Sequence, residues 1–453
     1  MLNLQHSRRA FLRSSAGLAG LSVPTFFSMQ AQAATGSRVR AKSCIVVYTW
    51  GGMSHLESFD PKPHGPVATR GEFGAISTAT PGMQFCEHLP LLARHSEKLA
   101  VVRSVHHNQG GHQQGMYISL TGRAPEGKIR AKSRTSWPSM PAMISRFQDP
   151  MAGTPGAVRL PYSMYDNGKL MAGEYGGWLG EKYDPVLMRT PAGKPFAGVS
   201  RYTDPVLNLK LNLKETRMRD RRSLLERLDR NLNEARPGVT ALNQFDHFQK
   251  MAADMLLGSP VRAAYQLENE DPRLRAMYGD HIGGQSLLLA RRLVEAGVPV
   301  VQAVCSAGDL AGGGGDNWDT HRGHFPKMKN RLLPLFDRSV SALLTDLEMR
   351  GMLDETLVVL LTDFGRTPKI NKNGGRDHHP AVYSVAFAGG GIRGGQVYGA
   401  SDESGTEPAE LACSPADLHA TVYKALGIDH HAELHDREGR PFRICDGEPL
   451  PLI

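Results

Sequence analysis

The sequence is poor in cysteine and lacks long apolar runs, and both features narrow the class of protein. Five cysteines occur among 453 residues, and none stands in a C-x-x-C motif. A disulfide framework therefore does not hold the fold together, although an oxidising compartment would allow Cys413 and Cys445 to pair. No segment after residue 34 approaches the roughly 20 apolar residues that a membrane-spanning helix needs, so no stable membrane span is predicted.

Basic residues outnumber acidic ones, but they are not concentrated in any stretch. The formal net charge is +8, and the lysines and arginines spread along the chain without a dense block. Nucleic-acid-binding domains gather such residues on one face or along one helix, so no nucleic-acid partner is predicted. Because 40% of the residues are hydrophobic, the chain has enough apolar side chains to form a buried core.

Residues 1–34 have the features of a twin-arginine export signal. Arg8 and Arg9 precede a short Gly/Ala-rich apolar run, and Ala31 and Ala33 form an A-x-A cleavage pattern. A basic amphipathic arm or anchor helix is the alternative, which the short and proline-broken apolar run disfavours. The sequence therefore predicts a periplasmic or secreted protein whose export partner is the twin-arginine translocation machinery. Cleavage removes three arginines and no acid, which leaves a net charge of about +5.

Short runs rich in β-branched residues alternate with helical patterns along the rest of the chain. Residues 284–297 and 327–350 have apolar side chains at helical spacing, and a glycine ends each segment. Such alternation predicts an α/β fold with a mostly parallel central sheet flanked by helices, in a single domain over 41–453. The predicted strands are 44–50, 98–105, 298–304, 356–363 and 383–391.

The middle of the chain has a different composition. Residues 123 to about 200 are rich in Gly, Pro, Lys and Met, and the leucines of 221–235 form one apolar stripe on a charged helix. We therefore predict that 123–240 is an insertion after the second strand, which lies over one rim of the sheet.

Four loops that follow predicted strands, or stand close to one, carry clusters of imidazoles and carboxylates. Ligands of parallel α/β sheets bind at the carboxyl ends of the strands, so we expect these loops to meet at one mouth. Imidazole and carboxylate groups are donors for divalent metals, and zinc, manganese and calcium are the candidates. The clusters are His55, Glu57 and Asp60; His106, His107 and His112; Asp316, Asp319, His321 and His324; and Asp363, Asp377, His378 and His379.

Arginines stand beside these clusters. A guanidinium group binds a tetrahedral anion through two parallel hydrogen bonds, so we predict that Arg366 and Arg376 bind the anionic part of a ligand. Their alternative is solvated loop charge. Asp363 likewise has a structural alternative as a helix N-cap or a turn carboxylate.

The order of the motifs resembles the domain-of-unknown-function-1501 family of exported bacterial proteins. The matching motifs are "GGMSHLESFDPKP", "GGHQQGMYISLTGR", "GQSLLLARRLVEAG", "NWDTH", "TDFGRTPKIN" and "GRDHHP". The resemblance implies an alkaline phosphatase/sulfatase-like fold whose site holds one or two divalent metals that polarise a phosphate or sulfate ester.

Individual positions match this superfamily only in part. Asp363 matches a metal-binding carboxylate, but Phe364 replaces the usual second ligand. His112 stands where the sulfatase signature has its nucleophilic cysteine. The "DTH" of 319–321 resembles a ligand pair with shortened spacing. The "WGG" of 50–52 stands near where an aspartate is usual, so that ligand is either missing or supplied by His55 or Asp60.

These patterns favour an exported metal-dependent hydrolase that acts on sulfate or phosphate esters of an anionic small molecule or glycan. We predict His112 as the catalytic residue, although a metal can lower the pKa of water to about 7 and make a side-chain nucleophile unnecessary. A non-catalytic metal- or anionic-glycan-binding protein and a structural envelope protein are the alternatives. The predicted metal ligands are Asp319, His321, Asp363, His378, His379, Asp60 and His55.

Overall fold

The computed structural model describes residues 41–188, 260–306 and 317–453, together with residues 217, 220 and 223. The predicted export signal, most of the helical pattern at 221–235, and Asp316 with its preceding glycines lie outside the described residues.

An eight-stranded sheet forms the centre of the protein, in the spatial order β8-β2-β7-β6-β1-β5-β3-β4. Every pair of neighbours is parallel except for the two pairs that β7 makes with β2 and β6. The prediction of a mostly parallel α/β sheet is confirmed. The strands are β1 (Ser43–Thr49), β2 (Leu99–Val105), β3 (Ala157–Leu160), β4 (Val186–Leu187), β5 (Val300–Val304), β6 (Thr356–Thr362), β7 (Tyr383–Ala388) and β8 (Gln396–Tyr398).

The reversed direction of β7 brings one more loop to the edge of the sheet where the parallel strands end. The carboxyl ends of β1, β2, β5 and β6 lie at one edge of the sheet, because these strands run in the same direction. An antiparallel neighbour begins at the edge where the others end. The segment that leads into β7 therefore lies at the same edge as the loops that follow the other four strands.

Helices cover both faces of the sheet. Alternate residues of β1 enter two separate cores, with Ile45 and Val47 in one and Val46 and Tyr48 in the other. Burial on both faces explains why these strands are apolar along their whole length. The main helices are α1 (His112–Thr121), α2 (Met140–Phe147), α3 (Ile282–Glu295), α4 (Leu333–Met349) and α5 (Pro415–Ala425).

The two helices that sequence periodicity predicted, α3 and α4, cover the same face of the sheet. Leu288 of α3 and Leu343 of α4 pack in the core that contains Ile45, whereas Met116 of α1 and Leu418 of α5 pack in the core that contains Val46. Four shorter α-helices complete the set in the described part of the chain: Pro90–Arg94, Pro260–Tyr265, Pro272–Tyr278 and His324–Lys327.

The described part of the predicted insertion, residues 123–188, contributes to the sheet itself. It contains α2, and its strands β3 and β4 extend the sheet beyond β5. Small two-stranded ribbons occur elsewhere: Ala75–Ser77 with Gln84–Cys86, Tyr165–Asp166 with Lys169–Leu170, Gly365–Arg366 with His378–His379, Ala400–Ser401 with Pro408–Glu410, and Glu433–His435 with Pro441–Arg443.

All five cysteines lie in the described ranges, and each is a buried free thiol. Cys413 and Cys445, which the sequence left open as a pair, are therefore not joined. Burial raises the pKa of the Cys413 thiol to about 12, so the thiol stays protonated and behaves as a small apolar side chain. No helix in the described ranges has both the length and the apolar character needed to cross a membrane.

Candidate metal centre

Residues from separate loops converge at the edge of the sheet where the parallel strands end. His112 is the first residue of α1, Asp319 and His321 lie in the segment after β5, and His378 lies in the ribbon that leads into β7. The ligand atoms of His112, Asp319 and His378 all lie within 4.8 Å of one another. We call these three residues and His321 the Asp319 cluster.

Asp319 is at the middle of this cluster. Its Oδ1 lies 3.1 Å from His321 Nε2 and 3.4 Å from His378 Nε2, and its Oδ2 lies 3.4 Å from His112 Nε2. Arg366 Nη2 donates to Oδ1 at 2.7 Å. Burial opposes ionisation of Asp319, but the three imidazoles and Arg366 hold its pKa well below the ordinary value. Asp319 is therefore an ionised carboxylate, the form that binds a cation.

His112 is held in one orientation by the residues around it. Its Nδ1 donates to Asp363 Oδ2 at 2.6 Å, and its ring stacks on Trp50 with centroids 5.2 Å apart. The other nitrogen, Nε2, is buried and has no hydrogen-bond partner among the described residues. Burial acts to lower the pKa of His112, but the Asp319 and Asp363 carboxylates outweigh burial and raise the pKa to about 9.

Asp363 orients His112 and is not itself a member of the donor set. Its Oδ2 accepts from His112, and its Oδ1 accepts from the Gly51 backbone N–H at 3.0 Å. Each Asp363 oxygen thus has a hydrogen-bond partner in this structure, and the role of Asp363 as a metal ligand stays a prediction. A carboxylate that accepts a hydrogen bond from one ring nitrogen of a histidine fixes the tautomer. The other ring nitrogen is then available to a metal.

Phe364, which replaces the ligand expected at this position, forms an apolar wall against the imidazoles. Its ring centroid lies 5.0 Å from that of His112 and 4.4 Å from that of His378. Glycines on two neighbouring segments make room for the ring, since a Cβ atom on Gly52 or Gly115 would lie only 2.8 or 2.7 Å from a Phe364 ring carbon. The wall shields the two imidazoles from water.

His378 presents an unprotonated nitrogen to the cluster. Its Nδ1 lies 2.7 Å from the Gly110 carbonyl oxygen, which can only accept, so Nδ1 carries the proton and Nε2 has the lone pair. Burial lowers the pKa of His378 and keeps the ring neutral. A neutral imidazole with its lone pair directed at a carboxylate is ready to bind a metal.

His321 lies at the more exposed side of the cluster, and both of its nitrogens act as donors. Nδ1 lies 2.7 Å from Asp377 Oδ1, and Nε2 lies 2.9 Å from the acceptor nitrogen of His378. Asp319, and after it Asp377, raise the pKa of His321. The geometry thus gives a protonated imidazole, with a side chain that is 35% exposed, at the mouth of the site.

The sequence model of the family described as "Protein of unknown function (DUF1501)" matches residues 41–452. The chain belongs to the DUF1501 family. The match includes every residue of the Asp319 cluster, so the resemblance stated from the motifs is confirmed. No curated protein matches the chain.

Several solved structures are similar to this DUF1501 protein at low sequence identity. The PsFucS1 sulfatase from Pseudoalteromonas sp. is 12% identical, with a TM-score of 0.38 over 88% of this chain and 70% of that chain. A protein in the alkaline phosphatase superfamily from Vibrio parahaemolyticus is 10% identical, with a TM-score of 0.37 over 86% and 67%. Ps i-CgsB in complex with k-i-k-neocarrahexaose is 10% identical, with a TM-score of 0.40 over 90% and 75%.

Besides Asp363, three residues predicted as ligands lie outside the Asp319 cluster of the DUF1501 protein. His55 Nε2 donates to the Gly405 carbonyl at 2.9 Å, and His379 Nε2 donates to that of Thr406 at 2.7 Å. Asp60 accepts from Ser401 and pairs with Lys62 and Arg103. His379 follows His378 in a β-ribbon, where successive residues point to opposite faces. None of the three residues belongs to the group formed by His112, Asp319 and His378, and their role as metal ligands stays a prediction.

The two arginines predicted to bind an anion have structural contacts instead. Arg366 is fully buried and donates to Asp319 and to the carbonyls of Gly51, Gly52 and Arg376. Arg376 is also fully buried and donates to Glu57 and to the carbonyls of Thr69, Thr367 and Pro368. The structure thus places both guanidinium groups in the interior, and their anion-binding role stays a prediction.

Two residues that the sequence did not predict as ligands or catalytic residues contact the Asp319 cluster, although Asp377 was expected near the mouth. Trp50 directly follows β1 and supports the His112 ring, and Asp377 orients His321. Trp50 stands at the carboxyl end of a strand and Asp377 within the "GRDHHP" motif. These positions were the only sequence signals for their roles.

Proposed function

We propose that this DUF1501 protein is an exported metal-dependent hydrolase of sulfate or phosphate esters, with an anionic glycan as the class of substrate. The observation that supports the proposal is the approach of ligand atoms from His112, Asp319 and His378 to within 4.8 Å of one another. Three protein donors that leave further positions open are typical of catalytic metal sites.

The donor set fits a divalent transition metal. His112 Nε2 is buried, faces Asp319 Oδ2 at 3.4 Å and has no hydrogen-bond partner in the described part of the chain. A bound cation would replace the proton on this nitrogen, since metal binding to histidine releases a proton. Two imidazoles with one carboxylate suit zinc or manganese better than calcium, which prefers oxygen donors. When bound, the ion would supply Lewis acidity toward an ester oxygen.

The residues around the ion would supply the proton chemistry. Hydrolysis joins a water oxygen to phosphorus or sulfur, breaks the bond to the ester oxygen, and requires a proton on the departing oxygen. His321, which the sequence predicted as a metal ligand, donates from both nitrogens and reaches the mouth of the site. A metal on His378 Nε2 would use the lone pair that accepts from His321 Nε2 and so free that N–H, which we propose as the general acid. Asp377 holds the ring in place, and the Phe364 wall limits the access of water to the imidazoles.

His112 has a different role in this proposal from the one predicted from the sequence. Its Nδ1 binds Asp363 and its Nε2 faces Asp319, so neither nitrogen is directed at an incoming substrate. We propose that His112 is a metal donor and that water, not a side chain, attacks the ester.

The proposed activity is tested with purified mature protein loaded separately with zinc and manganese. Sulfate and phosphate monoesters are supplied both as nitrophenyl esters and as sulfated or phosphorylated oligosaccharides. We expect metal-dependent release of sulfate or phosphate from one of these classes. Bound metal without turnover on any ester would contradict the hydrolase proposal.

His321→Asn is expected to lower kcat about 100-fold on sugar esters and less than about 10-fold on nitrophenyl esters. A sugar alkoxide is a poor leaving group that needs a proton, whereas nitrophenolate departs without one. Steady-state kinetics on both ester types measures the difference, with elemental analysis to show that metal is retained. An equal loss on both esters would contradict the general-acid role.

A second candidate function is metal binding without catalysis. The observation that favours it is the burial of Arg366 and Arg376, which leaves neither predicted guanidinium group at the mouth to bind a sulfate or phosphate group. Stoichiometric metal with no hydrolysis of any ester would support this function over the first.

We also propose that the protein reaches the periplasm or the outside of the cell by the twin-arginine route. Arg8→Lys together with Arg9→Lys is expected to keep at least about 90% of the protein in the cytoplasm, because the paired arginines are the recognised feature of such signals. Cell fractionation and immunoblotting measure the distribution. Arg13→Lys, which leaves the pair intact, is the control. Unchanged export of the double variant would contradict the proposal.

A further inference from the structure

A second group of metal-binding side chains lies near the C-terminal segment. His430 and His431 form the turn that follows α5, and Glu448 lies beyond the Glu433–His435 ribbon. One ligand atom from each residue lies within 4.8 Å of the others. The three residues are separated from the Asp319 cluster in sequence and belong to different elements of the fold.

The donor atoms are spaced for a small cation. His430 Nε2 lies 3.7 Å from Glu448 Oε2, and two ligands of one tetrahedral zinc ion, with bonds of 2.0–2.1 Å, lie about 3.4 Å apart. His430 Nε2 is itself buried and has no hydrogen-bond partner among the described residues. An ion between these two atoms would satisfy that nitrogen with little movement of either side chain.

Other contacts fix the backbone that carries the donors. The His431 N–H donates to Asp429 Oδ1 at 3.0 Å, which holds the turn. The Glu448 N–H donates to Asp417 Oδ1 at 2.8 Å, and the Leu450 N–H donates to Thr421 Oγ1 at 2.9 Å. Asp417 and Thr421 belong to α5, so this helix anchors the C-terminal segment, and Asp429 holds the turn that follows the same helix. The ordering that binding requires is therefore partly in place before an ion arrives.

The two histidines are packed against each other. Their ring centroids lie 4.0 Å apart with 38° between the ring planes. This packing places both imidazoles on the same side of the turn, within reach of Glu448. Glu448, whose side chain is 78% exposed, supplies negative charge and can rotate to complete the ligand set.

We propose that His430, His431 and Glu448 form a second metal site, which takes zinc or a similar divalent transition metal and joins the turn after α5 to the C-terminal segment. Two imidazoles and a single carboxylate are a poor set for calcium or magnesium, which prefer oxygen ligands. The proposal does not depend on the function proposed for the Asp319 cluster.

Zinc stoichiometry in a set of variants tests this site. We use the Asp319→Asn protein as the background, so that binding at the Asp319 cluster does not contribute. Equilibrium dialysis against zinc followed by elemental analysis is expected to give one zinc ion per chain. Adding His430→Ala or His431→Ala is expected to abolish that ion, and Glu448→Gln is expected to weaken its binding about 10-fold or more. Calcium in place of zinc is expected to give no stoichiometric binding.

His435→Ala provides the matched control, since this histidine is exposed on the neighbouring ribbon and is not part of the group. It should leave the zinc ion in place, and circular dichroism should show that every variant is folded. The proposal is overturned if His430→Ala and His431→Ala keep the ion, or if His435→Ala loses it equally. If the Asp319 cluster bound no metal, the unmodified protein would contain one zinc ion per chain instead of two. His431→Ala would then remove that single ion, so the two proposals fail in distinguishable ways.

Discussion

Asp319→Asn is expected to weaken zinc binding at the Asp319 cluster by more than about 100-fold. Losing a residue that only orients a ligand costs about 10- to 100-fold in metal affinity, and loss of a direct donor should exceed that range. Asparagine keeps the shape of the side chain and can still accept from Arg366, so the change removes charge with little change in packing. Competition with a chromophoric zinc chelator measures the affinity.

The expected loss of zinc affinity is large because Asp319 contacts four other charged or polar side chains. Its two oxygens face all three imidazoles of the cluster and the buried Arg366. In the variant the three histidines lose the anion that draws them together, and a bound cation would add to the uncompensated charge of Arg366. The ester hydrolysis that we propose should fall with the metal content.

Two residues predicted as ligands from the sequence serve as controls. His379→Ala and Asp60→Asn should each retain zinc within about threefold, because their contacts are with Thr406 and with Ser401, Lys62 and Arg103. His378→Ala should lose zinc as Asp319→Asn does. If His379→Ala rather than His378→Ala removed the metal, the structural assignment of the donors would be wrong.

This pair of adjacent histidines shows how far the sequence alone could lead. Strand periodicity predicted the sheet, and the positions of polar loops after strands predicted which edge would carry the site. Which of two neighbouring histidines faces the ion depends on the face of a two-residue ribbon, and that ribbon forms only when Gly365–Arg366 pairs with His378–His379. Such pairing across a loop leaves no periodic signal in a single sequence.

The roles of the charged residues were harder to predict for a related reason. Arg366 and Arg376 stand in loops rich in glycine and polar residues, where exposure is the usual outcome. Both are buried because carboxylates and carbonyls from distant segments surround them, including Glu57, which lies 319 residues away from Arg376 in sequence. Asp363 was placed correctly at the end of β6, but whether it binds a metal or a histidine depends on the position of α1.

Glu57→Gln is expected to lower the free energy of unfolding at pH 7 by about 3–5 kcal/mol. Glu57 Oε1 accepts from Arg376 Nη2 at 2.6 Å, and Oε2 accepts from His324 Nε2 at 2.9 Å. All three side chains are buried. Removing the carboxylate charge leaves the Arg376 guanidinium in the interior without an anion, which is the costly way to break a buried ion pair. Denaturant unfolding followed by tryptophan fluorescence measures the loss.

The pH dependence of this loss gives a second test. Burial acts to raise the pKa of Glu57, but Arg376 and His324 outweigh burial and lower the pKa to about 2. A carboxyl group whose pKa is lowered by folding stabilises the protein above its unfolded pKa, near 4.3, and that stabilisation is lost as the pH falls toward the folded value. The difference in stability between the unmodified protein and Glu57→Gln should therefore narrow from about pH 4 downward.

Glu348→Gln is the matched control for this substitution. Glu348 pairs with Lys98 at 3.1 Å, but its side chain is 54% exposed. Glu348→Gln should therefore lower the free energy of unfolding by less than about 1 kcal/mol, both at pH 7 and below pH 4. Equal losses in the two variants would show that the buried network does not hold the loops together. A larger loss of unfolding free energy in Glu57→Gln would show that Glu57 stabilises the arrangement of the site. This carboxylate joins the loop after β1 to the two segments that carry Asp319 and His378.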